Sequence, residues 1–325
     1  MIHVTAPSRL HFGLFSLANQ GPYQYGGLGV MVRRPALQLN IMPADSFAVA
    51  GESAPRAREF ARLWFDSNHV SAEQTRARME ITSRPPSHVG LGSGTQLGLA
   101  VAAALHAWHG EPLPQAQKLA QSVARGKRSA IGTHGFAQGG FIHDGGKRSG
   151  ETIGHLARRV TLPSSWRWVL WIDAKLQGLA GKNEEAAFEQ LMREPQQNSE
   201  PLTSLAHQVT EAGSAGEFDL FAKSLFEFGF QAGSRFSPIQ GGAFNGPMLA
   251  DRMQKLRDLG VCGVGQSSWG PTLFAVLPNQ DQAEQLRNQT DNCAEFAGTN
   301  CVISETCHDG AVVKTVADSQ STFEG

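Results

Sequence analysis

Apolar and polar residues alternate over residues 2–6 (Ile2, Val4, Ala6) and again over 37–41 (Leu37, Leu39, Ile41), and each alternation predicts a β-strand. The apolar run Leu28-Gly29-Val30-Met31-Val32 predicts a third. Ala57, Phe60, Ala61 and Trp64 recur at helical spacing and predict a helix over about 55–66. Alternation returns at Ala77, Met79 and Ile81, and a second helix is signalled by Leu97, Val101, Ala104, Leu105 and Trp108. Beyond a Gly-, Lys-, Arg- and Ser-rich stretch at 145–154, read as a surface loop, Trp168 to Ile172 predicts a buried strand. Helices follow over about 183–193, 201–212, 217–229 and 246–259, then a strand at 272–277, a helix near 280–289 and a strand near 301–305. Strands first and helices after them make an α+β pattern, unlike the strict alternation of a doubly wound sheet. Two domains are expected, over 1–155 and 156–325, and there is no repeat of solenoid period.

Between the strand at 77–82 and its helix lies Pro86-Ser87-His88-Val89-Gly90-Leu91-Gly92-Ser93-Gly94-Thr95-Gln96. A glycine-rich turn entering a helix lets backbone N–H groups converge on an anion, because glycine has no Cβ and the helix N-terminus is electropositive. Ser93 and Thr95 add hydroxyl donors, so a phosphorylated ligand fits. The loop lacks the Gly-Lys-Ser/Thr ending of a P-loop and the placement of a dinucleotide fingerprint. Its form, Pro-x-x-x-Gly-Leu-Gly-Ser-Gly, resembles the phosphate-binding motif of the GHMP superfamily of small-molecule kinases.

Composition narrows the partners. The chain has 325 residues, 41% of them hydrophobic and 18% charged, enough to bury a large core. A formal net charge of −1 and the lack of a basic run give no field for nucleic acid or an anionic membrane. Cys262, Cys293, Cys301 and Cys307 lack metal-ligand spacing and read as free thiols in a reducing compartment. No signal peptide or apolar run of about 20 residues is present, so a cytoplasmic protein is expected.

Other segments point to the same chemistry. Ala6-Pro7-Ser8-Arg9-Leu10-His11-Phe12-Gly13 follows the first strand, and Arg9 suits a bidentate phosphate clamp. The run Arg125-Gly126-Lys127-Arg128-Ser129-Ala130-Ile131-Gly132-Thr133-His134-Gly135-Phe136-Ala137-Gln138-Gly139-Gly140-Phe141 joins three cations to five glycines, a costly composition for an ordinary core element. Gly265-Gln266-Ser267-Ser268-Trp269-Gly270-Pro271-Thr272 is a second glycine- and serine-rich turn, which resembles the third GHMP motif. Lys182 and Glu184 start a helix, and either could reach a cleft. Tyr25-Gly26-Gly27-Leu28-Gly29 suits either a close ligand approach or a bulge.

Residues 9–14, 25–30, 90–97 and 128–136 together resemble the β-ribofuranosylaminobenzene 5'-phosphate synthase family, which has the GHMP fold. The likeness is densest over 6–141. It implies a two-domain GHMP architecture and a decarboxylating transfer from phosphoribosyl diphosphate to 4-aminobenzoate or 4-hydroxybenzoate in tetrahydromethanopterin biosynthesis. It also implies Mg²⁺, and a homodimer is expected. Under this reading Arg9, Gly90, Gly92, Ser93, Gly94, Thr95, Gln96, Lys127 and Thr133 bind phosphate or diphosphate, and His134, His11 and Arg128 are the catalytic candidates. A GHMP kinase using Mg-ATP is the alternative. It is disfavoured because Gly132, Thr133 and His134 stand where the kinases carry a catalytic Asp, and no acid occurs in 125–141. A phosphometabolite sensor without turnover is the third reading.

Overall fold

The computed structural model describes residues 1–16, 23–178, 181–193 and 199–316. The first sheet has the order β11-β1-β2-β4-β3, formed by β1 (Ile2–Leu14), β2 (Gly27–Pro43), β3 (Ala48–Gly51), β4 (Ala77–Ser83) and β11 (Val312–Thr315). Off that path β5 (Phe141–Asp144) pairs with β2, and β6 (Leu156–Val160) with β5. The second sheet has the order β10-β7-β9-β8, from β7 (Arg167–Ile172), β8 (Val264–Gln266), β9 (Leu273–Leu277) and β10 (Asn300–Glu305). The helices are α1 (Ala54–Asn68), α2 (Ser93–Trp108), α3 (Ala116–Ser122), α4 (Ile131–Gln138), α5 (Gly181–Arg193), α6 (Glu200–Ala215), α7 (Phe218–Ser234), α8 (Ser237–Gln240), α9 (Pro247–Asp258) and α10 (Gln280–Asp291). The architecture is α+β, as expected.

The strands predicted at 28–32 and 37–41 are one strand. β2 runs through both: β1 pairs along one edge, and the other edge is shared by two partners, β5 along Gly27–Val30 and β4 along Gln38–Pro43. Arg33 and Arg34 lie exposed where neither partner covers it, which breaks the apolar pattern without breaking the strand. The glycine run after Arg128 also differs from expectation, since residues 131–138 form the buried helix α4. Its glycines permit close packing. A Cβ on Gly132 would lie 3.2 Å from Thr95 Cγ2, and one on Gly135 would collide with Met31.

One core lies between the first sheet and helices α1 and α2, built on Leu39, Phe60, Trp64, Leu99 and Leu105. A second joins the sheets, where Phe12 of β1 meets Trp168 at 5.7 Å and Phe274 at 5.0 Å between ring centroids. The division expected near 155 falls just ahead of β6, and the first sheet takes β11 from the far end of the chain. Among the described residues no helix is long and apolar enough to cross a membrane.

Candidate active site

The glycine loop turns on two left-handed residues, Gly90 (φ 92°) and Gly92 (φ 68°), a region that favours glycine. The Gly92 carbonyl accepts from the N–H groups of Thr95 and Gln96 at 3.0 and 3.1 Å, opening α2. Two arginines flank this helix start. The Arg9 side chain lies over Gly92, where a Cβ would come within 3.1 Å of its Nε. Arg125 Nη2 would be 3.7 Å from a Cβ on Gly94, and its guanidinium sits 4.8 Å from the centre of the Phe60 ring. Arg9 Nη1 and Arg125 Nε are buried with no hydrogen-bond partner. Burial pushes both guanidinium pKa values down to about 10. Unpartnered buried donors are costly unless an anion completes them, and the helix dipole adds to the same field.

α4 starts beside α2. Gln96 Nε2 donates to the Gly132 carbonyl at 3.0 Å, and the Thr133 hydroxyl is buried without a partner. The start of α4 is capped from outside. Asp144 Oδ2, on β5, accepts from the Ala130 N–H at 2.6 Å and the Ser129 hydroxyl at 3.2 Å, while Oδ1 accepts from the Gly146 N–H at 3.0 Å. Burial raises the Asp144 pKa to about 6 against the pull of those donors. Arg128 reaches α5, where Nη1 lies 2.8 Å from Glu184 Oε1 and the guanidinium stacks 4.5 Å from the centre of the Phe188 ring. The charge of Glu184 also acts on Arg9 and Arg125, raising their pKa against the larger effect of burial.

The C-terminal half braces the loop. The Ser267 hydroxyl donates to the Gly90 carbonyl at 2.7 Å and accepts the His11 N–H at 3.0 Å, and the Ser268 N–H donates to the His11 carbonyl at 2.8 Å. Thr272 N–H bonds the Val89 carbonyl at 3.1 Å. The His11 ring is buried beside Arg9; desolvation first and that cation second hold its pKa well below the usual value, so it is neutral. His134 Nε2 lies 2.9 Å from the Gly154 carbonyl, which fixes this nitrogen as the protonated one. Burial lowers the His134 pKa. A cavity of about 630 Å³ opens between His88 (two residues ahead of Gly90), the start of α5 and the α8–α9 segment.

The chain matches the GHMP kinases N terminal domain over residues 58–143 and the GHMP kinases C terminal domain over 209–293, together more than half its length. The chain belongs to the GHMP superfamily. Solved GHMP structures share the fold at low identity. Phosphomevalonate kinase from Streptococcus pneumoniae superposes with a TM-score of 0.68 at 13% identity, covering 94% of this chain and 99% of that one. L. major mevalonate kinase superposes with a TM-score of 0.67 at 13% identity, covering 93% and 95%. Two curated relatives are named β-ribofuranosylphenol 5'-phosphate synthase. The Methanothermobacter thermautotrophicus protein is 27% identical over 323 residues, 92% of this chain and 94% of its own. That from Archaeoglobus fulgidus is 29% identical over 295 residues, 85% and 88% of the two chains.

Within this GHMP frame, Arg9, Gly90, Gly92, Ser93, Gly94, Thr95, Gln96 and Thr133 gather around the starts of α2 and α4. Arg128 joins them through Glu184. The Lys127 side chain is exposed, ahead of the start of α4. His134 is spent partly on holding the 145–154 loop through Gly154. The side chain of Lys182 lies outside the described residues. Sequence reading missed Arg125 as a loop residue and Asp144 altogether. The second had a signal, an acid three residues beyond a glycine run that opens a helix. Among the described residues no group of three or more His, Cys, Asp or Glu gathers as a metal site. Glu184 brings a carboxylate to within 2.8 Å of Arg128, an oxygen donor of the kind a divalent cation takes.

Proposed function

We propose that the chain is a decarboxylating phosphoribosyltransferase that joins phosphoribosyl diphosphate to 4-aminobenzoate or 4-hydroxybenzoate. The observation that carries this reading is the pair of arginines with unpartnered buried nitrogens on either side of the glycine loop, and the names of the relatives support it. The bond from the anomeric carbon to diphosphate breaks, with its electron pair leaving on oxygen. The ring carbon bearing the carboxylate bonds to the oxocarbenium-like centre. The carbon–carbon bond to the carboxylate then breaks, its electron pair restores the aromatic ring, and CO₂ departs. No net proton is transferred, so neutral His11 suits a positioning role.

Arg9 and Arg125, with the N–H groups of Ser93 and Gly94, hold anionic oxygens as negative charge grows on the leaving diphosphate. Arg128 supplies a further planar two-point contact. Mg²⁺ would be held by the diphosphate with Glu184, and when bound it supplies charge neutralisation for the leaving group. A kinase that deprotonates its acceptor with a carboxylate would need an acid at α4. The first acid beyond the 125–141 run is Asp144, and both its oxygens are committed to capping α4 and the next turn. The test is CO₂ release from carboxyl-labelled 4-aminobenzoate. Release that depends on phosphoribosyl diphosphate and Mg²⁺ is expected, and its absence would overturn the reading.

A further inference from the structure

The cavity at His88 differs from the arginine cluster in chemistry. Among the described residues it is lined by no Asp, Glu, Lys or Arg, and its walls include Gly178, Gly181, Asn183, Ile239 and Asn245. Its volume, about 630 Å³, lies in the range of small-molecule sites. Ile239 packs on a cluster that includes Phe188, Phe236 and Trp269, with Phe236 and Trp269 centroids 4.8 Å apart. The cavity is linked to the cations through one aromatic cluster: Arg128 stacks on Phe188, Phe188 packs on Trp269 at 5.9 Å between centroids, and Asn245 of the cavity wall bonds the Trp269 carbonyl. The Gly178 N–H also ties this segment to the His88 carbonyl at 2.7 Å.

Asn245 is held on two sides. Its backbone N–H donates to Gln266 Oε1 at 2.8 Å, and its Nδ2 donates to the Trp269 carbonyl at 2.9 Å. The second bond fixes which amide atom is nitrogen. Oδ1 makes no hydrogen bond among the described residues, which leaves a preset acceptor on the cavity wall.

Resting on the transferase reading, we propose that this cavity seats the aromatic acceptor, with its para amino or hydroxyl group donating to Asn245 Oδ1. The attacking carbon and the para substituent lie at opposite ends of the ring. With the carboxylate end at the arginines, the para group points into the cavity toward Asn245. As the ring carbon bonds to the sugar, positive charge spreads onto the para nitrogen or oxygen, making its N–H or O–H a stronger donor. A fixed amide dipole at that atom therefore stabilises the addition more than the resting substrate.

The experiment compares wild type, Asn245→Leu and Ile239→Trp. It reads steady-state kinetics with 4-hydroxybenzoate and 4-methoxybenzoate, which keeps the oxygen lone pairs and loses the donor, and calorimetric binding of phosphoribosyl diphosphate. Asn245→Leu is expected to lower kcat/KM for 4-hydroxybenzoate by about ten- to a hundredfold and to abolish the wild-type preference over the methoxy compound. Ile239→Trp, filling the cavity, is expected to block benzoate turnover with phosphoribosyl diphosphate still bound. Turnover by wild type with the preference retained in Asn245→Leu, or with full benzoate turnover in Ile239→Trp, would overturn the seat alone. No CO₂ release by wild type would instead overturn the transferase reading.

Discussion

Arg128 and Glu184 form an ion pair at 2.8 Å between the loop ahead of α4 and the first turn of α5, with the Phe188 ring beneath the guanidinium. About a quarter of each side chain remains exposed, so the pair contributes at most about 1 kcal/mol to folding. An arginine held this loosely is available to a stronger anion. Arg128→Ala should therefore lower kcat/KM by about ten- to a hundredfold with a small change in Tm. Arg128→Lys should recover only part, since an ammonium lacks the planar fork. Wild-type kinetics in both variants would remove Arg128 from the site.

Glu184 is expected to act on the same anion in two opposed ways. Without metal its carboxylate competes with diphosphate for Arg9, Arg125 and Arg128; with metal it helps to hold the cation. Glu184→Gln should tighten binding of inorganic diphosphate in the absence of Mg²⁺ and raise the Mg²⁺ concentration needed for half-maximal rate. Titration calorimetry and a Mg²⁺ dependence measure the two effects, and movement in neither would show that Glu184 does not share the site.

Asp144 ties stability to pH. Its pKa, raised to about 6 from 3.8, means that the folded protein binds more protons than the unfolded chain between those values. The contribution of this group to stability is therefore full below about pH 4 and falls as pH rises through 6, by about 3 kcal/mol in all. Urea unfolding of wild type and Asp144→Asn at pH 4.5 and pH 7 measures it. The wild type should lose stability relative to the variant on going to the higher pH. A difference independent of pH would show that Asp144 ionises normally.

Ser267 is fully buried and bridges the two halves through Gly90 and the His11 backbone. Ser267→Ala leaves an acceptor and a donor unpaired, which costs about 1–3 kcal/mol for each such group. The variant should melt earlier and show a raised KM for phosphoribosyl diphosphate, because Gly90 loses its support. Differential scanning fluorimetry measures the first effect and steady-state kinetics the second.

Much of the fold was legible because burial imposes its period on the chain. α1 and α2 stand where Phe60, Trp64, Leu97 and Leu105 placed them, and β7 where Trp168 to Ile172 did. α4 was not legible, because its glycines serve contacts with Met31 and Thr95 that only the folded chain brings near. β2 was divided in two by Arg33 and Arg34, residues exposed between its two partners. In the site, Arg9 and the glycine loop were readable from local pattern. Arg125 was not, because its place beside Gly94 depends on how α3 delivers the chain to α2. Asn245 carried no sequence signal, since an asparagine in a glycine-rich connection usually serves a turn.

The pairing of β11 with β1 joins Ile2 to Thr315 and Val4 to Val313. During synthesis on the ribosome, the first strand must wait for about three hundred further residues before this neighbour emerges. Until then β1 presents an unpaired edge, a template for association with other nascent chains. The β1–β2 register of the sheet carrying Arg9 can thus form long before the β11–β1 register beside it.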